Sequence, residues 1–208
     1  MSSNLSLKGS TRTVTEFFEY SINSILFQRA VYPPEDFISV KKYDLNLLKT
    51  HDEELKNYIR QILQQVHRWL LGGKCSKLVL CILDKSTCEV VERWEFDVKH
   101  NAHSSDNDQI GGVKLEETQR QIRALMRQIT ASVTFLPELE SEDGEEDNFT
   151  FNVLAYTDAN AKVPLEWADS DALEVTNGSE KVEFKSFSTT DHNIKTQVSY
   201  RVNASSGS

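Results

Sequence analysis

Apolar residues recur at helical spacing in three stretches of the chain. From about residue 11 to 29, Val14, Phe17, Phe18, Ile22, Ile25 and Leu26 fall at i, i+3, i+4 intervals, which sets them on one face of an amphipathic helix. Pro33 and Pro34 bar its continuation. Thr50-His51-Asp52-Glu53 has the form of a capping box. It opens a second stripe of Leu55, Tyr58, Ile59, Ile62, Leu63, Val66, Trp69 and Leu70, which Gly72-Gly73 stops. A third helix is predicted over about 115–134. Ile122, Leu125, Met126, Ile129 and Val133 lie on one face, with Arg120, Arg123, Arg127 and Gln128 on the other, and Pro137 ends it.

Other stretches have strand character. Residues 77–84 (KLVLCILD) form a continuous apolar run, as in a strand buried on both faces. Residues 90–98 alternate Trp94, Phe96 and Val98 with Arg93, Glu95 and Asp97, which predicts a half-exposed strand. Residues 149–157 (FTFNVLAYT) make a third strand, and 99–113 reads as a mobile polar loop. Beyond 158 the period is lost until 181–188 and 194–202, where Ile194, Thr196, Val198, Tyr200 and Val202 alternate strictly with polar residues. A hairpin turning at Thr190-Asp191-His192-Asn193 is expected. It is marginal alone, so it must dock on the sheet, with 158–180 as the tether. The fold class that results is α+β, a single domain of three helices on a mainly antiparallel sheet. Residues 1–10 are expected to be a flexible lead-in and 203–208 a disordered tail.

Charge changes this picture locally. The 208 residues carry 23 Lys+Arg against 32 Asp+Glu, a net charge of −9, which argues against phosphate-backbone binding. Seven of the acids sit in 138–147, ELESEDGEED, and without them the net charge is only −2. That stretch reads as a solvated connector, with attraction of a basic partner as the sharper alternative. No apolar run approaches the roughly 18 residues of a membrane span, and MSSNLSLKGS has no apolar leader segment. Cys75, Cys81 and Cys88 are too few for a disulfide framework, so a cytosolic or nuclear setting is expected.

Candidate chemistry is thin. The paired glycines lack a phosphate-binding context. His100, His103, Asp106 and Asp108 can be drawn as a metal cluster but read as a solvated loop, and Cys81 reads as a small buried thiol. No nucleophile–base–orienter set is proposed by any motif, so no enzyme and no cofactor are expected. Trp167, in a polar irregular segment, either pins that segment to the core or lines a ligand site.

Four runs in order carry a family resemblance: TVTEFFEYSINSILFQRAVY before Pro33, VERWEF at 91–96, RQITASVTFLP ending at Pro137, and LAYTDANAKVPLEW at 154–167. Together they resemble HORMA-domain proteins, and within these the spindle-assembly-checkpoint branch in a fungal form, over residues 5–202. Phe27 and Ala30 depart from the expected Tyr and Gly, and the acidic loop is longer than in vertebrate members. The resemblance implies a core over 11–157 and a mobile C-terminal safety belt over 158–202 with an open and a closed placement. The closed belt would wrap a short extended partner segment added as a strand. It implies a peptide-binding edge and belt including Phe149, Phe151, Val153, Ala155, Tyr156, Trp167, Val198 and Tyr200, and a self-association surface of Arg127, Gln128 and Phe135. The partners it implies are the coiled-coil checkpoint scaffold mitotic arrest deficient one, the activator of the anaphase-promoting complex, a second copy in the other conformer, and an AAA+ ATPase with its adaptor. Inhibition of the activator would delay anaphase until kinetochores attach, with residence in nucleus and cytoplasm, at kinetochores and at the nuclear envelope. The alternative from the same fold is an adaptor in a DNA-repair polymerase or chromosome-axis complex.

Overall fold

The computed structural model describes residues 2–101, 115–140 and 148–202. Most of the acidic stretch, the 102–114 loop with His103, Asp106 and Asp108, and the tail 203–208 lie outside the described residues. Helix α1 spans Ser2–Gln28, so residues 2–10, expected to be flexible, belong to it. Ser10 and Thr11 are buried there, which is why the helix does not wait for the apolar stripe to begin. At its other end Ala30 takes φ 53°. The amide of Val31 bonds Leu26 O at 3.0 Å and that of Ala30 bonds Phe27 O at 3.1 Å, the paired bonds of a left-handed helix stop.

Strands β1 (Phe37–Lys42) and β2 (Leu45–Thr50) pair as a separate hairpin that the sequence pattern did not announce. Its turn residues, Tyr43 and Asp44, both have positive φ, the geometry of a type I′ turn made without glycine. Helix α2 (Glu53–Leu71) is capped by Asp52 rather than Thr50: its carboxylate accepts from the Leu55 amide at 2.7 Å. Thr50 instead accepts from the Asp52 amide, one step earlier. Gly73, at φ 65°, closes the helix while the Lys74 amide bonds Trp69 O. Helix α3 runs Leu115–Ala131, followed by a 3-10 turn over Ser132–Thr134.

The main sheet holds β3 (Cys75–Asp84), β4 (Val90–His100), β5 (Phe149–Thr157), β6 (Ser179–Glu183), β7 (Phe187–Ser188) and β8 (His192–Arg201). Its order is β5-β3-β4-β8-β6, with β7 also on β8, and every pairing is antiparallel. From Glu92 onward the even-numbered residues of β4, with those of β8 and the odd ones of β5, face the helices. They close one core around Phe17, Phe18, Phe96 and Phe187, with Phe17 and Phe187 edge to face at 4.8 Å. β4 was expected to be half exposed, yet it is buried on both faces, with Arg93 2% and Glu95 5% exposed. The cover is the aperiodic segment after β5, whose Leu173 and Val175 pack on Val79, Cys81, Leu83 and Val90.

Candidate functional site

β5 bonds β3 along one side over nine register positions, and no strand pairs with its other side among the described residues. Such an edge is a row of unpaired N–H and C=O groups that templates a further strand unless something covers it. Phe151 points into the core between the rings of Tyr32 and Tyr58, at 6.1 and 5.7 Å. Phe149, Val153 and Ala155 are partly buried against the same core. On the opposite face are Asn152, Leu154 and Tyr156.

The segment following β5 does the covering. It leaves the strand through an Asp158 amide bond to Lys74 O. It is then held by Trp69 of α2, whose indole N–H donates to Lys162 O at 3.0 Å. The Trp167 ring meets the Trp69 ring edge to face, 4.9 Å between centroids. Further on, Arg93 Nε donates to Ala172 O at 3.1 Å while its Nη2 donates to the Tyr156 hydroxyl at 3.0 Å. Glu95 accepts from both Arg93 and Gln197, so the guanidinium buried under the belt is neutralised and bonded on each side. Lys77 lies 3.4 Å from Glu95 and 5.2 Å from the centre of the Tyr156 ring. The segment finally crosses the sheet and re-enters it as β6 on the far edge.

Between the β5 edge and this belt lie two adjoining clefts of about 350 and 670 Å³. Both are walled by Val153, Leu154 and residues 167–170. Trp69 and Thr157 lie at one end, Tyr58 and Gln65 at the other. A strand edge on one side and a pinned chain on the other make a slot suited to an extended segment.

The structure divides the expected residues into groups. Phe149, Phe151, Val153, Ala155, Tyr156 and Trp167 gather on β5 or the facing belt. Val198 and Tyr200 do not: they lie on β8, beyond β3 and β4 from the edge. Val198 is fully buried in the main core, and the Tyr200 hydroxyl donates to Glu180 at 2.9 Å, so both anchor the belt's return. On α3, Arg127 is exposed. Gln128 Oε1 accepts from the Lys185 amide at 2.6 Å, and Phe135, 45% exposed, lies 6.2 Å from Phe184. Phe184 in turn stacks on Trp94 at 5.4 Å, so Gln128 and Phe135 share the connection between β6 and β7.

Trp69 and Arg93 escaped the sequence reading as site residues. Trp69 sits in an unbroken apolar stripe, where it is indistinguishable from core. Arg93 occupies a polar alternation position whose burial depends on a cover that has no period. Cys81 is a buried thiol, pushed up to about 12 by that burial. Cys75 is likewise raised, to about 11. Neither is a ready nucleophile. The His100 ring packs on that of His192 at 4.8 Å, its expected companions His103, Asp106 and Asp108 lie outside the described residues, and no group of three or more metal-ligating side chains occurs among the described ones.

The family description "HORMA domain" matches residues 10–192. The Saccharomyces cerevisiae mitotic spindle checkpoint component MAD2 is 69% identical over 201 residues, covering 97% of this chain and 100% of its own. Its Schizosaccharomyces pombe counterpart is 50% identical over 202 residues, 96% of each chain. Among solved structures, a chain of the mitotic checkpoint complex superposes with a TM-score of 0.82 at 48% identity, covering 93% of this chain and 99% of that one. An edge strand roofed by a pinned belt, on a sheet of this order, thus coincides with near-full-length kinship, and the chain belongs to the HORMA-domain family as a fungal spindle-checkpoint component of the MAD2 type.

Proposed function

We propose that the chain is a conformational switch that captures a short, extended, apolar-rich partner segment as a new strand on β5, beneath the belt formed by residues 158–178. The observation that carries this reading is the unpaired β5 edge facing a slot whose outer wall is fastened to the core by Trp69 and Arg93. The hairpin of β7 and β8 sits against β4, on the side of the sheet away from β5, and that placement, which leaves the edge available, supports reading it as the closed arrangement. Main-chain hydrogen bonds supply affinity in such strand addition, and alternate side-chain pockets supply specificity. Release requires the belt to open locally, so dissociation is slow.

The partners of this reading are the coiled-coil checkpoint scaffold and the activator of the anaphase-promoting complex. Capture of the activator holds back anaphase. Copies in the two placements associate through the Arg127, Gln128 and Phe135 face, and an AAA+ ATPase with its adaptor returns the closed form to the open one. The protein works in nucleus and cytoplasm, at kinetochores and at the nuclear envelope. The match to a HORMA domain and to checkpoint components, neither an enzyme family, supports a non-enzymatic role.

The test uses fluorescently labelled peptides from the two partners and a series N-methylated at single positions. Strand addition uses every second peptide N–H, so methylation at one parity should abolish binding and at the other leave it nearly intact. Equal sensitivity at both parities would overturn the strand-addition mode.

A further inference from the structure

A third cleft, of roughly 590 Å³, lies between α1 and α2 on the side of α2 away from β5. Its rim carries five cations, Arg12, Lys49, Lys56, Arg60 and Arg68, against two carboxylates, Glu16 and Glu19. Both carboxylates are already engaged, Glu16 by Lys42 at 3.2 Å and Glu19 by Lys49 at 2.8 Å. Arg12, Arg60 and Arg68 are exposed and have no carboxylate within ion-pair distance among the described residues. Among the described residues Arg60 bonds only the Asn57 side-chain carbonyl, at 3.0 Å.

This arrangement is costly within the fold and unlike the rest of the chain. Lys56 and Arg60 stand four residues apart on one helix face, and like charges at that spacing repel. The molecule as a whole has a net charge of −9, so an excess of positive charge concentrated in one concave place runs against its average. A field of one sign inside a cleft draws the opposite sign.

The cleft adjoins the peptide slot across one ridge of α2. Gln64 and Arg68 line both, so the α2 ridge they form is a shared wall. From Lys56 to Arg68 the ridge is about 18 Å long at the helical rise per residue. That length matches an extended segment of about six residues.

We propose that the α1–α2 cleft binds a carboxylate-rich segment of about six residues, belonging to the same partner chain whose apolar segment pairs with β5. The proposal rests on the capture reading for its tether. It adds the chemistry of the partner's flank: Asp and Glu set against Arg12, Arg60 and Arg68. Because the flank is tethered, its binding is intramolecular and multiplies affinity without any change in the slot. The same charges speed association at low salt.

The experiment compares five labelled peptides on the full chain by fluorescence anisotropy: the apolar core alone, the core joined by a short Gly-Ser linker to six Glu/Asp residues at one terminus or the other, and the same two with six Lys. The acidic flank at one terminus should tighten binding at least tenfold at low salt, and that gain should vanish in the double variant Arg12→Glu/Arg60→Glu. Neither of these residues lines the slot, so the core peptide should bind the double variant as it binds the parent chain. Failure of the core peptide alone would overturn the capture reading, not this one. The cleft stays measurable through NMR shifts of the Arg12 and Arg60 side chains on titration with the free acidic hexapeptide, and no shift would overturn the acidic-segment assignment. A gain that survives the double variant would also overturn it. So would a change in oligomeric state of the double variant by light scattering with no effect of the flank, which would assign the cleft to a second copy.

Discussion

Trp69 and Trp167 meet edge to face at 4.9 Å, and they are the aromatic link between the helical core and the segment that walls the β5 edge. Trp69 is 5% exposed and rooted in α2; Trp167 is only partly buried and belongs to a stretch whose residues are mostly exposed. One partner is therefore part of the fold's stability, while the other controls a local opening. Aromatic pairs of this geometry contribute about 0.5–1.5 kcal/mol beyond their buried area.

Trp167→Ala should accordingly loosen the belt without unfolding the domain. Amide exchange over 163–170 is expected to quicken about tenfold, with β3 and β4 unchanged, and a captured peptide should leave faster by a similar factor. Trp69→Ala, a large core truncation, should cost about 3–5 kcal/mol in urea unfolding. Equal global destabilisation by both changes would show the belt to be an inseparable part of the core.

Ala30 bears on the end of α1. At φ 53° an L-residue is strained where glycine is not, and Ala30 is exposed with nothing to gain from its methyl group. Ala30→Gly should stabilise the protein by about 0.5–1 kcal/mol, the strain relieved being partly offset by the unfolded-state entropy that glycine adds. An unchanged or lower urea midpoint would contradict this.

The elements with a period were legible in the sequence: α2, α3, β3, β5 and β8 stand within a few residues of their expected bounds, because stripe and alternation are direct imprints of burial. What lacked a period was not legible. The β1–β2 hairpin turns at Tyr43-Asp44 without the glycine or asparagine that advertises a type I′ turn. The cap of α2 moved from Thr50 to Asp52 because two acceptors compete in three residues. The burial of Arg93 depends on the stretch around Ala172, whose carbonyl it bonds and which sits in a segment with no pattern of its own. The edge role of β5 also could not come from its composition, since edge and interior strands can both be apolar; the family resemblance carried it. β8, expected as one arm of a hairpin docked on the sheet, is an interior strand between β4 and β6. Cutting the chain near residue 193 therefore removes core along with belt.

The Arg93 network offers a graded test. Arg93→Met removes the guanidinium that Glu95, Tyr156 and Ala172 all contact and leaves Glu95 buried beside Gln197 and a half-exposed Lys77. A loss of about 3 kcal/mol is expected, the cost of stranding one partner of a buried pair. Tyr156→Phe removes a single acceptor and should cost about 1 kcal/mol. Chemical denaturation at neutral pH checks the order; Tyr156→Phe costing as much as Arg93→Met would mean the hydroxyl, not the charge, holds the network.

On α3, adjacent residues should separate two roles. Arg127 is exposed and bonds nothing on its own chain among the described residues, so Arg127→Glu should lower self-association in light scattering while peptide affinity is retained. Gln128 holds the Lys185 amide at 2.6 Å, so Gln128→Ala should in addition speed amide exchange near 184–188. Parallel loss of peptide binding in Arg127→Glu would make α3 a folding element rather than a contact face.

His192 makes the hairpin's docking pH-sensitive. Its ring is fully buried, with Nδ1 2.6 Å from Ser10 Oγ on α1 and Nε2 without a hydrogen-bond partner among the described residues. Burial first, then the neighbouring His100, pushes the imidazole down to about 4, with Asp191 pulling the other way. In the unfolded chain the ring titrates near 6.5. Between these values the unfolded state takes up a proton that the folded state refuses, so stability is complete above about pH 6.5 and is lost as pH falls toward 4. A depression of that size corresponds to a loss of roughly 3 kcal/mol. His192→Asn keeps an acceptor for the Ser10 hydroxyl and removes the titration. Its melting temperature should therefore fall less steeply than the parent's between pH 7 and 4.5. The parent's extra loss should coincide with faster exchange at the turn between β7 and β8, where Thr189 and Asp191 flank the ring. Superimposable pH profiles would show that acid sensitivity arises elsewhere, and that the contact of α1 with the hairpin tolerates a charged imidazole.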